Sequence, residues 1–416
     1  MPLEAVVTAS VPRCRACGDE ELRLILDLGT LPLANALLDE ADLAQPEERF
    51  PLRLFFCSHC SLVQIDANVP PEKLFAHYLY ASSNSDTMLA HVGRQVERLV
   101  DERRLGPASL VLEIASNDGY LLKFYRERGI PVLGIEPAAN IAALARKQGI
   151  ETLVEFFDAA LGRRLAAEGR CADIVHAHNV FAHIPDPNEF IVGLRHLLKP
   201  GGIAVIEVPY VRELIDKLEF DTIYHEHFSY YSLTAVENLC RRHKLRVVDV
   251  ERIAIHGGSL RLFVGHSAQV PQARVASLLE EEQSKGGLGA FAYYESFAQR
   301  VWRLRDELLA LLYKLKASGQ HLAAYGASAK GSTLMNLFGI DASILDFVAD
   351  RSTLKQGKFT PGNHLPILSP AALLERKPDA VLLLTWNFAN EILAQQQAYR
   401  AGGGRFIIPV PTVAIV

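Results

Sequence analysis

Two Cys-x-x-Cys pairs stand near the amino terminus, Cys14/Cys17 and Cys57/Cys60. Four thiolates complete a tetrahedral zinc shell, so this spacing predicts a structural metal that organises roughly the first 70 residues. Four sulfurs leave no open position for water, which argues against a catalytic zinc; iron would suit the same ligand set. The remaining cysteines, Cys171 and Cys240, stand alone. A second group is the run Glu113-Ile-Ala-Ser-Asn-Asp-Gly119 with Glu136 downstream. A compact loop opening a helix lets free backbone N–H groups meet a carboxylate or phosphate, and an acid ending the next strand can accept both hydroxyls of a ribose. The third is Tyr224-His225-Glu226-His227, two imidazoles and a carboxylate within four residues. Taking a proton from carbon needs a base of near-neutral pKa, and histidine is the side chain that has one.

These groups need elements to position them, and the middle of the chain supplies a βα series. Apolar runs at 110–114, 132–136, 152–156, 173–179 and 202–209 read as strands, with helical spacing between them. Two further strands, 245–253 and 259–266, are separated only by a His-Gly-Gly turn. This order predicts a mostly parallel sheet with one antiparallel member, whose ligands sit at the carboxyl ends of the strands. The full G-x-G-x-x-G of a dinucleotide site is absent, so an uncharged glycine loop suits S-adenosylmethionine better than a dinucleotide. Toward the end of the chain, strands at 321–327, 346–350, 380–386 and 406–410 predict a second, smaller nucleotide-type layer, joined to the first by helices over 273–318. The loop Gly326-Ala-Ser-Ala-Lys330 offers glycine, a hydroxyl, a helix start and a lysine, a reasonable diphosphate cradle without the order of a P-loop.

The chain has 416 residues, of which 49% are hydrophobic, enough to bury two or three cores, and a formal charge of −5, which does not favour nucleic acid as a partner. The first residues lack the charged-then-apolar order of a signal peptide, and no apolar run reaches the ~18 residues of a membrane helix. The expected location is the cytoplasm, where reduced thiols favour metal over disulfides, and the expected state is a monomer.

Taken together, CRAC…CSHC, EIASNDGYLL, IEP, NVFAHIPD, YHEHFSYYS, HGGSLR, YGASAKG and LLLTWN give the chain a family resemblance over nearly its whole length. It resembles the sugar C-methyltransferases that act on nucleotide-linked 4-keto-6-deoxyhexoses. The resemblance implies an α/β architecture: a zinc-binding domain over 1–75, a class I S-adenosylmethionine methyltransferase domain with a Rossmann-like sheet over 76–270, and a helical connector with a Rossmann-like nucleotide-sugar domain over 271–416. One departure is Ala115, where glycine is common in the first loop; alanine there predicts a negative φ.

The residues expected to hold S-adenosyl-L-methionine are Glu113, Ala115, Asn117, Asp118, Gly119, Glu136, Pro137, Phe157 and Asn179. A 4-keto group acidifies the neighbouring C3 hydrogen, because the resulting charge spreads onto oxygen as an enolate. His227 is expected to be the base, with Glu226 orienting or polarising the site. Tyr224, Tyr80 and His183 are candidate donors to the enolate oxygen, Tyr80 on the strength of the resemblance. His225 points the other way in an extended stretch and reads as a core residue. The resemblance suggests Lys330, Lys355 and Asn387 as contacts of the dTDP-sugar, with Ser328 of the loop and His256 further candidates. An O- or N-methyltransferase, or a non-catalytic zinc-containing protein that captures a nucleotide-sugar, remains the alternative.

Overall fold

The computed structural model describes residues 12–67, 69–70, 73–74, 82–84, 86–285 and 287–416. Tyr80 lies outside them, and for His256 only the backbone is described.

Seven strands form the central sheet, in the spatial order Leu245–Ile253, Ser259–His266, Leu198–Pro209, Ala172–His178, Val111–Ile114, Val132–Ile135, Thr152–Leu153. Only Ser259–His266 runs against its neighbours, pairing antiparallel with both Leu198–Pro209 and Leu245–Ile253. This is the class I S-adenosylmethionine methyltransferase arrangement. The short first strand, Val-Leu-Glu-Ile, is buried at every position, as a parallel strand covered by helices on both faces must be. The connecting helices start where side chains satisfy their free N–H groups: Asp158 accepts from Leu161 N, Asp186 from Asn188 N with Pro187 in the first turn, and Ser232 from Ala235 N. The strand order reverses between Val111–Ile114 and Ala172–His178, so their following loops diverge and leave a crevice.

The C-terminal sheet repeats that device, in the order Ile367–Leu368, Val348–Ala349, Leu322–Tyr325, Ala380–Leu383, Arg405–Ile408, Ala414–Ile415. The outer two-residue strands, Ile367–Leu368 and Ala414–Ile415, are absent from the sequence reading. Its order reverses between Leu322–Tyr325 and Ala380–Leu383, which places Gly326–Lys330 beside Thr385–Phe388.

The amino-terminal sheet has strands Leu22–Pro32, Arg49–Cys57 and Val63–Ile65, and takes its fourth, Ser229–Tyr230, from the middle of the chain. That pairing puts the residues just after Tyr224–His227 against the metal-binding head. On the other side, Leu38 and Phe359 exchange backbone hydrogen bonds at 3.0 and 2.8 Å, tying the head to the C-terminal region. The connector, helices Ala273–Glu280 and Phe297–Ala317, carries Glu282, wholly buried yet accepting from Leu233 N, Thr234 N, Thr234 Oγ1 and the Tyr210 hydroxyl. Those four donors offset the cost of burying its carboxylate and pin the connector to the central layer. No helix among the described residues is long and apolar enough to cross a membrane.

Candidate functional site

The four cysteines come together in the head: their sulfurs all lie within 4.8 Å of one another, with Cys14 to Cys60 at 3.4 Å and Cys17 to Cys57 at 3.5 Å. Sulfurs bound to one tetrahedral zinc at about 2.3 Å sit about 3.7 Å apart, so the donor set and its spacing fit that ion. Arg15, between the first pair, crosses to the central layer. Its guanidinium donates to Pro185 O at 3.1 Å and Ala67 O at 2.7 Å and lies 4.8 Å from the Phe228 ring centroid. The metal-binding turn is thereby packed onto the loop that carries His183.

A cavity of about 770 Å³ opens at the carboxyl ends of the central strands. From the central sheet it is lined by Ala115, Asn117, Glu136, Pro137, Phe157 and Asn179. Ala115 has φ +54°, not the negative value expected, and Asn117 and Asn179 are left-handed too, at +50° and +53°. The turn after the first strand thus adopts a conformation that glycine would take at no cost, and holds it with alanine and asparagine. Its supports are specific. Glu136 accepts Asn117 N at 3.0 Å through one carboxylate oxygen and Ala138 N at 2.8 Å through the other, and Asn117 Oδ1 accepts Ser82 N at 2.8 Å. Glu113, Asp118 and Gly119 do not line the cavity; they lie beneath the turn. Gly119 has φ +81°, which strains any L side chain, and a Cβ there would also meet Ile150 Cδ1 at 2.4 Å.

Beneath the turn, Glu113 Oε2 and Asp118 Oδ1 are buried without a hydrogen-bond partner among the described residues. Burial, then the charges of Asp118 and Glu136, hold Glu113 well above the usual carboxylate range, and burial raises Glu136. Such a cluster is costly alone and calls for positive charge nearby. Of the three, Glu136 lines the cavity, and an acid at that place fits S-adenosylmethionine, whose sulfonium and α-ammonium are positive.

Opposite stand Tyr224 and His227. The Thr222 carbonyl lies 2.9 Å from His227 Nδ1, and a carbonyl can only accept, so Nδ1 carries the proton. Nε2 is then the basic nitrogen, 3.0 Å from the Tyr224 hydroxyl. Glu226 does not perform the orienting role expected of it: its carboxyl points to the head, accepts from Asn35 Nδ2 at 2.7 Å and does not line the cavity, and burial raises its pKa to about 7. Thr222 and Tyr224 orient His227 instead. His183 lines the cavity with its ring centroid 4.7 Å from that of His227. Its Nδ1 proton goes to the Glu226 carbonyl at 2.8 Å, and burial lowers its pKa to about 4. A neutral ring with its one N–H committed presents an acceptor at Nε2, which corrects the expectation that it donates to an oxyanion. His225 is a core residue as read, 3.2 Å from Phe50 O.

The third wall comes from the C-terminal sheet. Ser328, Lys330 and Asn387 line the cavity together with Thr385 and Phe388. Ser328 caps helix Ala329–Phe338 by accepting Gly331 N. Lys330 Nζ lies 4.7 Å from the Trp386 ring centroid and has no hydrogen-bond partner among the described residues. Lys355 does not reach the cavity; its ammonium donates to Ala327 O at 2.7 Å and braces the loop from behind. Asp350, absent from the sequence reading, holds the same loop: it accepts Ala327 N at 2.8 Å and Ser352 N at 2.7 Å. Its signal was available, since Asp350 follows Gly326 by nearly the interval that separates Glu136 from Glu113. Asp221 and Trp386 were also missed, because a bond across 165 residues leaves no local pattern.

Three family models match in succession: a "Putative zinc binding domain" over residues 14–75, a "Methyltransferase domain" over 88–250 and a "C-methyltransferase C-terminal domain" over 254–411. The chain is 38% identical over 412 residues to the C-methyltransferase NovU of Streptomyces niveus, covering 99% of this chain and 98% of that protein. A ubiquinone biosynthesis O-methyltransferase of Burkholderia pseudomallei (strain 1710b) is 23% identical over 181 residues, 39% of this chain and 76% of its own. Among solved structures, the PH0226 protein of Pyrococcus horikoshii OT3 aligns with 48% of this chain and all of its own, at 16% identity and a TM-score of 0.36. With its three-part order matched throughout, the chain belongs to the C-methyltransferase family, S-adenosylmethionine-dependent enzymes with an amino-terminal zinc-binding domain.

Proposed function

We propose that the chain transfers a methyl group to C3 of a dTDP-linked 4-keto-6-deoxy sugar through an enolate, in the making of a branched deoxysugar. The observation that carries this reading is the composition of one cavity. It joins the ribose-type acid Glu136, the imidazole of His227 and the Ser328–Lys330 helix start, so a methyl donor, a carbon acid and a diphosphate find their partners in a single space of about 770 Å³.

In this reading residues 1–75 brace the cleft, 76–270 hold the methyl donor and 271–416 hold the nucleotide-sugar, in a cytoplasmic monomer. S-adenosylmethionine, when bound, supplies an electrophilic methyl group. His227 Nε2 takes the C3 proton, and the Thr222 carbonyl stabilises the imidazolium through Nδ1–H. The Tyr224 hydroxyl has one proton to give. Turned to the developing C4 oxygen it stabilises the enolate, while Nε2 turns to the carbon acid. His183 Nε2, an acceptor, suits a sugar hydroxyl better than the enolate oxygen. Lys330, Ser328 and Asn387 hold the diphosphate and nucleoside, and Asp350 and Lys355 keep their loop in shape.

The test is deuterium exchange at C3 of a dTDP-4-keto-6-deoxyhexose followed by mass spectrometry, with S-adenosylmethionine withheld and then supplied. Enzyme-dependent exchange and a methylated product are expected, with turnover in His227→Asn lower by roughly 10²-fold or more. Binding of S-adenosylmethionine without exchange or methylation would remove this substrate class.

A further inference from the structure

We propose that Trp386 and Asp221 form a latch through which the nucleotide-sugar wall of the cavity sets the alignment of His227, making both positioning residues. The proposal rests on the reading of His227 as the base.

The indole of Trp386 stands between two opposite charges. Lys330 Nζ lies over its face, 4.7 Å from the centroid, and its Nε1–H donates to Asp221 Oδ2 at 2.7 Å. A cation on the face of an indole draws electron density and makes its N–H a better donor, so the two contacts support each other. Asp221 is wholly buried, and its second oxygen has no partner among the described residues. A carboxylate in that setting depends on the few groups that offset its charge, here the field of Lys330, the indole N–H and the backbone N–H groups of Asp221 and Thr222.

Asp221 sits in the turn Phe220–Thr222, one residue before the carbonyl that fixes His227. Thr222 O accepts from His227 Nδ1 at 2.9 Å and from the Tyr230 hydroxyl at 3.3 Å. Phe220 at the other end of the turn stacks on Phe338, centroids 4.8 Å apart and planes at 23°, on the helix that begins at the Lys330 loop. The turn is therefore held by the C-terminal region at Phe220 and Asp221 and holds the imidazole at its last residue, Thr222. An anionic group drawn to Lys330 changes the charge on the indole face, and the Trp386–Asp221 bond carries that change to Thr222 and His227.

The test is a double-mutant cycle on methyl transfer, with S-adenosylmethionine affinity as a control. Trp386→Phe keeps a ring beneath Lys330 and deletes the N–H. The expected result is a kcat roughly tenfold lower, the scale of a small misplacement of a reacting group, with KM for the nucleotide-sugar and affinity for S-adenosylmethionine nearly unchanged. In a His227→Asn background the same change should cost nothing further, because the residue it positions is gone. Asp221→Asn, which keeps an acceptor for the indole, should retain most activity, and Asp221→Ala should reproduce Trp386→Phe; this pair decides the matter if Trp386→Phe fails to fold. Independent, multiplicative losses, or a loss confined to KM, would overturn the latch while leaving His227 as base. Unchanged turnover in His227→Asn alone would overturn the base, and the latch with it.

Discussion

In the central sheet Glu136 ends the second strand and accepts two backbone N–H groups, one from the first loop at Asn117 and one from Ala138 two residues on. In the C-terminal sheet Asp350 follows the second strand and does the same, with Ala327 of the loop and Ser352 two residues on. The backbone solution is shared, and the charge placed around it differs, because only the C-terminal loop has lysines beside its acids. Around the central turn lie three buried carboxylates, Glu113, Asp118 and Glu136. Around the C-terminal loop lie a capped helix start and two lysines, one facing the cavity and one beneath the loop. A doubly wound sheet thus fixes where a ligand sits, and in the proposed function a few side chains at the same topological place distinguish a cationic ligand from an anionic one.

The largest effect should come from removing each acid in turn. Glu136→Ala deletes both acceptors of the central turn and the proposed ribose contact, and is expected to weaken S-adenosylmethionine by on the order of 100-fold while leaving dTDP binding intact. Asp350→Ala should do the reverse with a smaller loss, on the order of tenfold, because it shapes the loop without lining the cavity. Isothermal titration of both ligands against both variants checks this; crossed effects would mean the two walls are not separate sites.

Opposite charge should also give opposite pH trends. On the central side the ionised carboxylates attract the sulfonium and ammonium, and burial raises the pKa of Glu113 and Glu136. Protonating them removes that attraction, so affinity for S-adenosylmethionine should fall as pH drops through the raised values. On the C-terminal side Glu219 shares its surroundings with Lys330, Asp221, Lys217 and Glu213, and burial raises its pKa to about 7. Below that pH it is neutral and the charge of Lys330 is free for a diphosphate; above it the carboxylate competes. Affinity for dTDP should therefore decline as pH rises through that region, and Glu219→Gln should flatten the decline. Parallel trends for the two ligands would erase the distinction.

Lys330→Met sharpens the same point with a smaller loss. Removing one partly screened cation is expected to weaken dTDP roughly tenfold and to reduce its salt dependence, with S-adenosylmethionine unaffected. Equal loss of both ligands would mean that Lys330 acts through Trp386 on the whole cleft.

How far the sequence revealed these two regions follows from the range of each signal. The cysteine quartet, the βα order with its closing hairpin, and the acid after the second central strand are local or periodic, and all were legible. His227 was singled out as the candidate base from its chemistry. Its orientation was not legible, because the group that sets its proton is the carbonyl of Thr222, and a carbonyl carries no residue signature. Glu226 was misread for the same reason: adjacency suggested a partner, while the turn sends its carboxyl to Asn35 in the head. Lys355 illustrates another limit, since a lysine near a phosphate loop reads alike whether it faces the ligand or the loop's back. Ala115 shows that residue type underdetermines φ once neighbouring hydrogen bonds enforce a turn.

The smallest effects separate the loops by their backbones. Gly326 has φ +96°, and a Cβ there would meet Thr385 Oγ1 at 2.5 Å. Gly326→Ala is therefore expected to destabilise the C-terminal region by about 2 kcal/mol or more, seen as a lower Tm that dTDP only partly restores. At the matching place in the central turn the native residue already is alanine, left-handed at +54°. Ala115→Gly relieves about 1 kcal/mol of local strain but gives the unfolded chain more freedom, so a net gain of under about 1 kcal/mol is expected. The informative readout is the methyl donor. If Ala115→Gly raises Tm slightly while weakening S-adenosylmethionine, the alanine stiffens a turn that must be ready for its ligand. If it lowers Tm, the strain is carried elsewhere in the turn, and Asn117, left-handed two residues on and bonded to both Glu136 and Ser82, is where to look next.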